Sequence, residues 1–81
     1  MDSINTIYEK ITPIFRDVLE NDSLVLSDML TAEEVPGWDS LAHVNLIVCI
    51  ENEFDIRFGI SELNELKNVG ALVRLINSKI S

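Results

Sequence analysis

Basic residues are missing from the middle of this chain. No Lys or Arg occurs between Arg16 and Arg57, while the same interval holds ten acids: Asp17, Glu20, Asp22, Asp28, Glu33, Glu34, Asp39, Glu51, Glu53 and Asp55. Over all 81 residues, six Lys and Arg face fourteen Asp and Glu, a formal net charge of −8. Such a surface excludes nucleic acid and anionic membrane as partners. It favours proteins with basic patches, because opposite potentials steer encounter. A solvated acidic face that aids solubility is the plainer alternative, and charge alone leaves it ahead. Cysteine is scarce too. One thiol excludes an internal disulfide framework, so stability must come from packing in a chain whose core is small. A lone thiol fits a reducing compartment. Long apolar runs are absent: the longest, Leu46-Ile47-Val48-Cys49-Ile50, is far below membrane-spanning length. Met1-Asp2-Ser3 lacks the n- and h-regions of a signal peptide. One Cys and one His cannot supply a zinc ligand set, and the acids lack calcium-loop spacing, so no metal site is expected. Cys49 reads as a small core hydrophobe. Together these absences predict one domain over 1–81, monomeric and cytoplasmic.

What is present is helical periodicity. Ile4, Ile7, Tyr8, Ile11, Ile14, Phe15, Val18 and Leu19 recur three or four positions apart, one face of an amphipathic helix over 3–19. Pro13 falls inside it, opposite the stripe. Thr12-Pro13 could open a fresh helix, but the stripe stays in phase across it, which favours one kinked helix. Residues 20–39 form a long connection with turn signals at Asn21-Asp22-Ser23 and Pro36-Gly37. Some of Leu24, Val25, Leu26, Met29 and Leu30 should fold back on the core, and 27–30 suits one turn. A second helix is expected over 40–54, capped by Asp39 or Ser40. It has two apolar stripes, Leu46-Ile47-Ile50-Phe54 and Leu41-Val44-Val48. One can line the core; the other is either a docking face or buried between neighbouring helices, and the pattern weighs these equally. Ile56 to Ile60 reads as an extended connector with anchored side chains. Ser61 can cap a short helix over 61–66 with Leu63 and Leu66 inward, and Asn68 a last helix over 69–79 with Val69, Leu72, Val73, Ile76 and Ile80 on its stripe. The fold class is all-α: a small four-helix bundle with a long loop between helices one and two and a short third helix.

Little here suits catalysis. Ser40 and His43 lie three apart on one helix with Asp39 adjacent, and such neighbours cannot easily form a relay, whose base must be oriented from elsewhere. Gly37-Trp38-Asp39-Ser40-Leu41 lacks the Gly-x-Ser-x-Gly elbow. His43 reads as a packed or solvated helix residue, and Trp38 as a loop anchor whose N–H finds a partner. No catalytic residue is expected. Ser40 has two readings: a helix cap, or a modified serine at a helix N-terminus that favours an attached phosphate. Those few residues alone favour the cap.

The stretch Gly37-Trp38-Asp39-Ser40-Leu41, with Leu46, Ile50, Glu51 and Glu53-Phe54 after it, resembles the acyl carrier protein family. The long loop, the short third helix and the Val69-Gly70-Ala71-Leu72-Val73 helix extend the likeness over nearly the whole chain. The resemblance implies that Ser40, next to its motif neighbour Asp39, carries a covalent 4′-phosphopantetheine arm. A phosphopantetheinyl transferase would attach it from coenzyme A with magnesium, and the arm's thiol would carry acyl groups as thioesters. It implies that Leu41, Val44, Val48 and Glu51 form the face read by partners, the acyl-activating and acyl-transfer enzymes. Ile11, Phe15, Leu72 and Ile76 would join Phe54 and the first stripe around the core or a sheltering cavity. There are departures. Fatty-acid carriers are often acidic where this chain has Ala42 and Asn45, and peptidyl carriers usually have a second glycine where Trp38 sits. The Trp-Asp-Ser-Leu-Ala-His form is similar to discrete, free-standing carriers of a specialised pathway, fatty-acid-like or polyketide. An aminoacyl or peptidyl carrier, and an unmodified adaptor of the same fold, are the alternatives.

Overall fold

The computed structural model describes residues 3–64 and 66–80. Among these residues four helices follow in order, α1 Ser3–Val18, α2 Ser40–Phe54, α3 Ile60–Asn64 and α4 Val69–Ile80, with a single 3-10 turn, Ala32–Glu34, in the long connection. Among the described residues there is no strand. The expected four-helix bundle with a long first loop and a short third helix is therefore the observed one.

α1 is the central packing element, lying against both α2 and α4. Its stripe puts Ile7, Ile11 and Phe15 out of contact with water. Leu46, Ile47 and Ile50 of α2 and Val69, Leu72, Val73 and Ile76 of α4 complete the core, with Leu19 and Val35 closing it from the connection. Each fully buried side chain of this kind contributes about 1.5–3 kcal/mol of transfer free energy. Pro13 sits inside one uninterrupted α1, on the exposed side, where its missing N–H disturbs no core packing.

Backbone hydrogen bonds end the helices. Glu20, at φ 53, closes α1: its N–H donates to the Asp17 carbonyl and that of Asn21 to Arg16, the paired bonds of a Schellman motif. Asp55, at φ 55, closes α2, and the Ile56 N–H returns to the Glu51 carbonyl. α4 is capped by Asn68, whose side chain accepts from the Ala71 N–H at 2.8 Å, as its sequence position predicts. α3 corrects the sequence reading. It begins at Ile60, and Gly59 precedes it with its N–H donating to the Glu62 carboxylate at 2.7 Å, so Ser61 lies within the helix rather than capping it. The carboxyl of Glu62 is held below its usual range by that N–H and by Lys79. Leu66 follows α3 as a partly buried anchor on the core; position 65, within the expected third helix, lies outside the described residues.

The long connection is strapped down at several points. The Arg16 Nε donates to the Leu24 carbonyl at 2.9 Å, the Tyr8 hydroxyl to the Asp28 carboxylate, and the N–H groups of Val69 and Gly70 to the carbonyls of Leu30 and Asp28, both at 2.9 Å. Burial and the bond to Asp28 push the Tyr8 phenol up to about 12. Leu24, Leu26 and Leu30 fold back on the core, while Val25 and Met29 stay exposed. Residues 27–30 form the expected turn, closed by the Leu30 N–H on the Ser27 carbonyl. Cys49 is a correction: it is exposed on α2, because the core side of that helix is filled by Leu46, Ile47 and Ile50.

Candidate functional site

Val35-Pro36-Gly37-Trp38 is a tight turn closed by the Trp38 N–H on the Val35 carbonyl at 3.2 Å. Proline suits its second position, and Gly37 takes φ 89, a conformation that favours glycine. The turn is anchored on both sides: Val35 is buried, and the Trp38 ring meets Phe15 edge-on at 5.2 Å. Asp39 then leaves the turn extended, and its Oδ1 accepts from the Ala42 N–H at 2.9 Å. Asp39 is thus the cap of α2, and Ser40, its first residue, is released from that role. Ser40 is exposed, and its hydroxyl makes no hydrogen bond among the described residues.

His43 lies one turn further on, half-buried. Trp38 Nε1 donates to its Nδ1 at 3.2 Å, and the two rings stack with centroids 6.1 Å apart. Burial lowers the imidazole pKa below 6.5. The ring is therefore neutral at pH 7, with its proton on Nε2 because Nδ1 is an acceptor. An imidazole so engaged is not oriented as a base for Ser40, with which it shares no hydrogen bond.

A cleft of about 520 Å³ opens beside Ser40. Trp38, His43 and Val44 form one wall; Leu66, Lys67, Asn68 and Leu72 form the other. Among the described residues, Lys67 is the only Lys or Arg that lines the cleft. Apart from Leu72, the second wall was not legible in the sequence. Leu66, Lys67 and Asn68 come from the α3–α4 connection, far along the chain, and the packing of that connection brings a cation beside Ser40. The Trp38–His43 pair was also missed as a pair, although a five-residue separation across a helix start could have suggested it.

The second α2 stripe is exposed, with Leu41 at 72%, Val44 at 57% and Val48 at 48%, which settles the choice between burial and exposure. Glu51 differs from its three companions. Its Oε2 accepts from the Phe58 N–H at 2.9 Å, holding the connector after α2. Asn45 is exposed, whereas Ala42 is buried, so a packing reason excludes an acid there.

A family model describing the phosphopantetheine attachment site matches residues 9–76. An acyl carrier protein of Clostridium acetobutylicum is 32% identical over 72 residues, 89% of this chain and 94% of that protein. The solution NMR structure of a holo acyl carrier protein from Geobacter metallireducens aligns with a TM-score of 0.85 at 45% identity, covering 90% of this chain and 84% of that one. The chain belongs to the acyl carrier protein family. An acyl carrier protein is a non-catalytic carrier whose prosthetic group is 4′-phosphopantetheine. The family thus accounts for a site with a free hydroxyl, an anchored turn and an open cleft but no assembled catalytic relay. No described helix is long and apolar enough to cross a membrane.

Proposed function

We propose that Ser40 is the attachment point of the 4′-phosphopantetheine arm and that the protein is a thioester shuttle of a specialised biosynthetic pathway. The observation that carries this is the release of Ser40: Asp39 caps α2, leaving the serine hydroxyl exposed at the helix start. The surroundings suit a phosphodiester. The N–H end of α2 favours an anion, Lys67 brings a positive charge to the adjacent cleft, and the apolar walls leave room for part of an arm. When attached, the arm supplies a terminal thiol that bears the acyl group. The chain's own residues place and tether it, so that encounter with each partner's active site becomes local. Asp39 orders the helix start, and Trp38 anchors the loop before it. Leu41, Val44 and Val48 are the surface offered to a phosphopantetheinyl transferase and to acyl-activating and acyl-transfer enzymes. Basic patches on those enzymes would be drawn by the net charge of −8. The setting is one cytoplasmic, monomeric carrier domain over 1–81.

The test is intact mass after incubation with coenzyme A, magnesium and a promiscuous phosphopantetheinyl transferase. The wild type is expected to gain one arm and Ser40→Ala none. An unchanged wild-type mass, or an arm retained by Ser40→Ala, refutes the assignment.

A further inference from the structure

The Trp38–His43 pair leaves one hydrogen-bonding group unused. Trp38 Nε1 donates to His43 Nδ1 at 3.2 Å, so the neutral ring carries its proton on Nε2. That Nε2–H has no acceptor among the described residues. The ring is half-buried in the cleft wall, where an unmet donor is costly. It is also held in place: it stacks on Trp38, which is itself packed edge-on against Phe15 at 5.2 Å. Of the cleft's other polar side chains, Asp39 and Asn68 are committed as the caps of α2 and α4. Lys67 is exposed and is a point charge, suited to an anion more than to a neutral acceptor.

We infer that the His43 imidazole is the seat of the arm: its Nε2–H donates to the first amide carbonyl of the phosphopantetheine on Ser40 and holds that segment in the cleft. This role rests on the reading of Ser40 as the attachment point. Position and chemistry both favour this occupant. Ser40 and His43 lie three apart on α2, about one helical turn, so an arm on Ser40 meets the ring at a high effective concentration that an untethered molecule lacks. Beyond the phosphate, the first segment of the arm bears two methyl groups and then an amide carbonyl. Trp38, Leu66 and Leu72 offer the methyls an apolar surface, and His43 offers the carbonyl its donor. Trp38 is here a positioning residue, since its N–H fixes the tautomer that donates. One such bond favours the seated arm by about fivefold, weak enough for a partner enzyme to draw the arm out.

The test uses isotope-labelled chain, loaded from unlabelled coenzyme A by a promiscuous phosphopantetheinyl transferase, with NMR spectra of the apo and holo forms. In the holo wild type, the arm's methyl protons are expected to give NOE cross-peaks to the Trp38 and His43 rings. The Trp38 indole N–H resonance should move downfield on loading, because donation from Nε2–H makes Nδ1 a stronger acceptor. A purely structural role for His43 would leave that resonance unmoved. Loaded His43→Leu keeps an apolar cleft wall without a donor, and its cross-peaks from the arm to Trp38 should weaken at least about threefold. Absent cross-peaks or an unmoved indole resonance in the holo wild type overturns the role, as does a smaller weakening in folded His43→Leu. The apo and holo wild type need no variant, so they decide even where His43→Leu does not fold. Intact mass keeps the two readings apart. An arm on the wild type but not on Ser40→Ala, with no contact to the rings, refutes only the seat. An unchanged wild-type mass, or an arm retained by Ser40→Ala, refutes the attachment site.

Discussion

At the scale of single residues, His43 is the group whose state the fold controls most directly. Its Nδ1 lone pair is taken by the Trp38 N–H, and its half-buried position disfavours charge. Protonation would remove that acceptor and set two N–H donors, one of them charged, against each other in a partly dry cleft. Because the folded-state pKa lies below 6.5, the unfolded chain binds more protons between those two values. Stability therefore rises with pH through that window and is lost as pH falls through it. Urea midpoints should be lower at about pH 5.5 than at about pH 7.5, and His43→Gln should remove most of the difference. His43 is the single histidine, and the depressed Glu62 carboxyl acts only at lower pH, below the ordinary glutamate value. Emission from Trp38, the one tryptophan, should follow the same transition. A midpoint equally pH-dependent in His43→Gln would show that other groups carry the effect.

At the scale of elements, what could be read from the chain is what local chemistry decides. α2 begins and ends where its cap and apolar pattern place it, and Asn68 caps α4 as its position suggests. The exposed Leu41-Val44-Val48 stripe was visible as a surplus of apolar residues, though only the packed structure decided that it faces water. Long-range backbone contacts were not legible. The start of α3 depends on a glycine N–H meeting a side chain three residues on, and the seat of the long connection depends on Gly70. A Cβ added there would lie 2.9 Å from the Asp28 carbonyl oxygen and 3.1 Å from the Asp28 Cβ, at the point where the Gly70 N–H already bonds that carbonyl. Helix propensity alone would favour alanine by about 1 kcal/mol. The overlap is with backbone, so the connection must move and the bond lengthen, and Gly70→Ala should cost a net of about 1–2 kcal/mol. Asn68→Ala removes the neighbouring cap and should cost about 1 kcal/mol. Equilibrium urea unfolding measures both. A stabilised Gly70→Ala would show that the connection yields easily at this contact and that propensity decides.

At the scale of the whole molecule, a net charge of −8 is held within a radius of gyration of 11.7 Å. That radius equals the roughly 12 Å expected for a compact domain of this length. Opposing pairs offset little of the charge repulsion. The exposed Lys10–Glu53 pair and the Lys79–Glu62 pair span neighbouring helices at 3.7 and 3.0 Å, and screened surface pairs of this kind contribute little. Lys67 is drawn to the cleft beside Ser40 and forms no ion pair among the described residues. The balance of surface electrostatics is therefore repulsive, and screening should stabilise the fold. At 0.1 M salt the Debye length is about 10 Å, similar to the molecule's own radius. Raising NaCl from about 10 to about 200 mM should lift the thermal midpoint by several degrees, since 1 kcal/mol corresponds to about 4–8 °C in a domain of this size. Magnesium chloride at matched ionic strength separates screening from binding. Equal shifts with both salts are the expected outcome. A larger shift with magnesium would mean that acids converge on the ion, and a midpoint that falls with salt would mean that the ion pairs outweigh the repulsion.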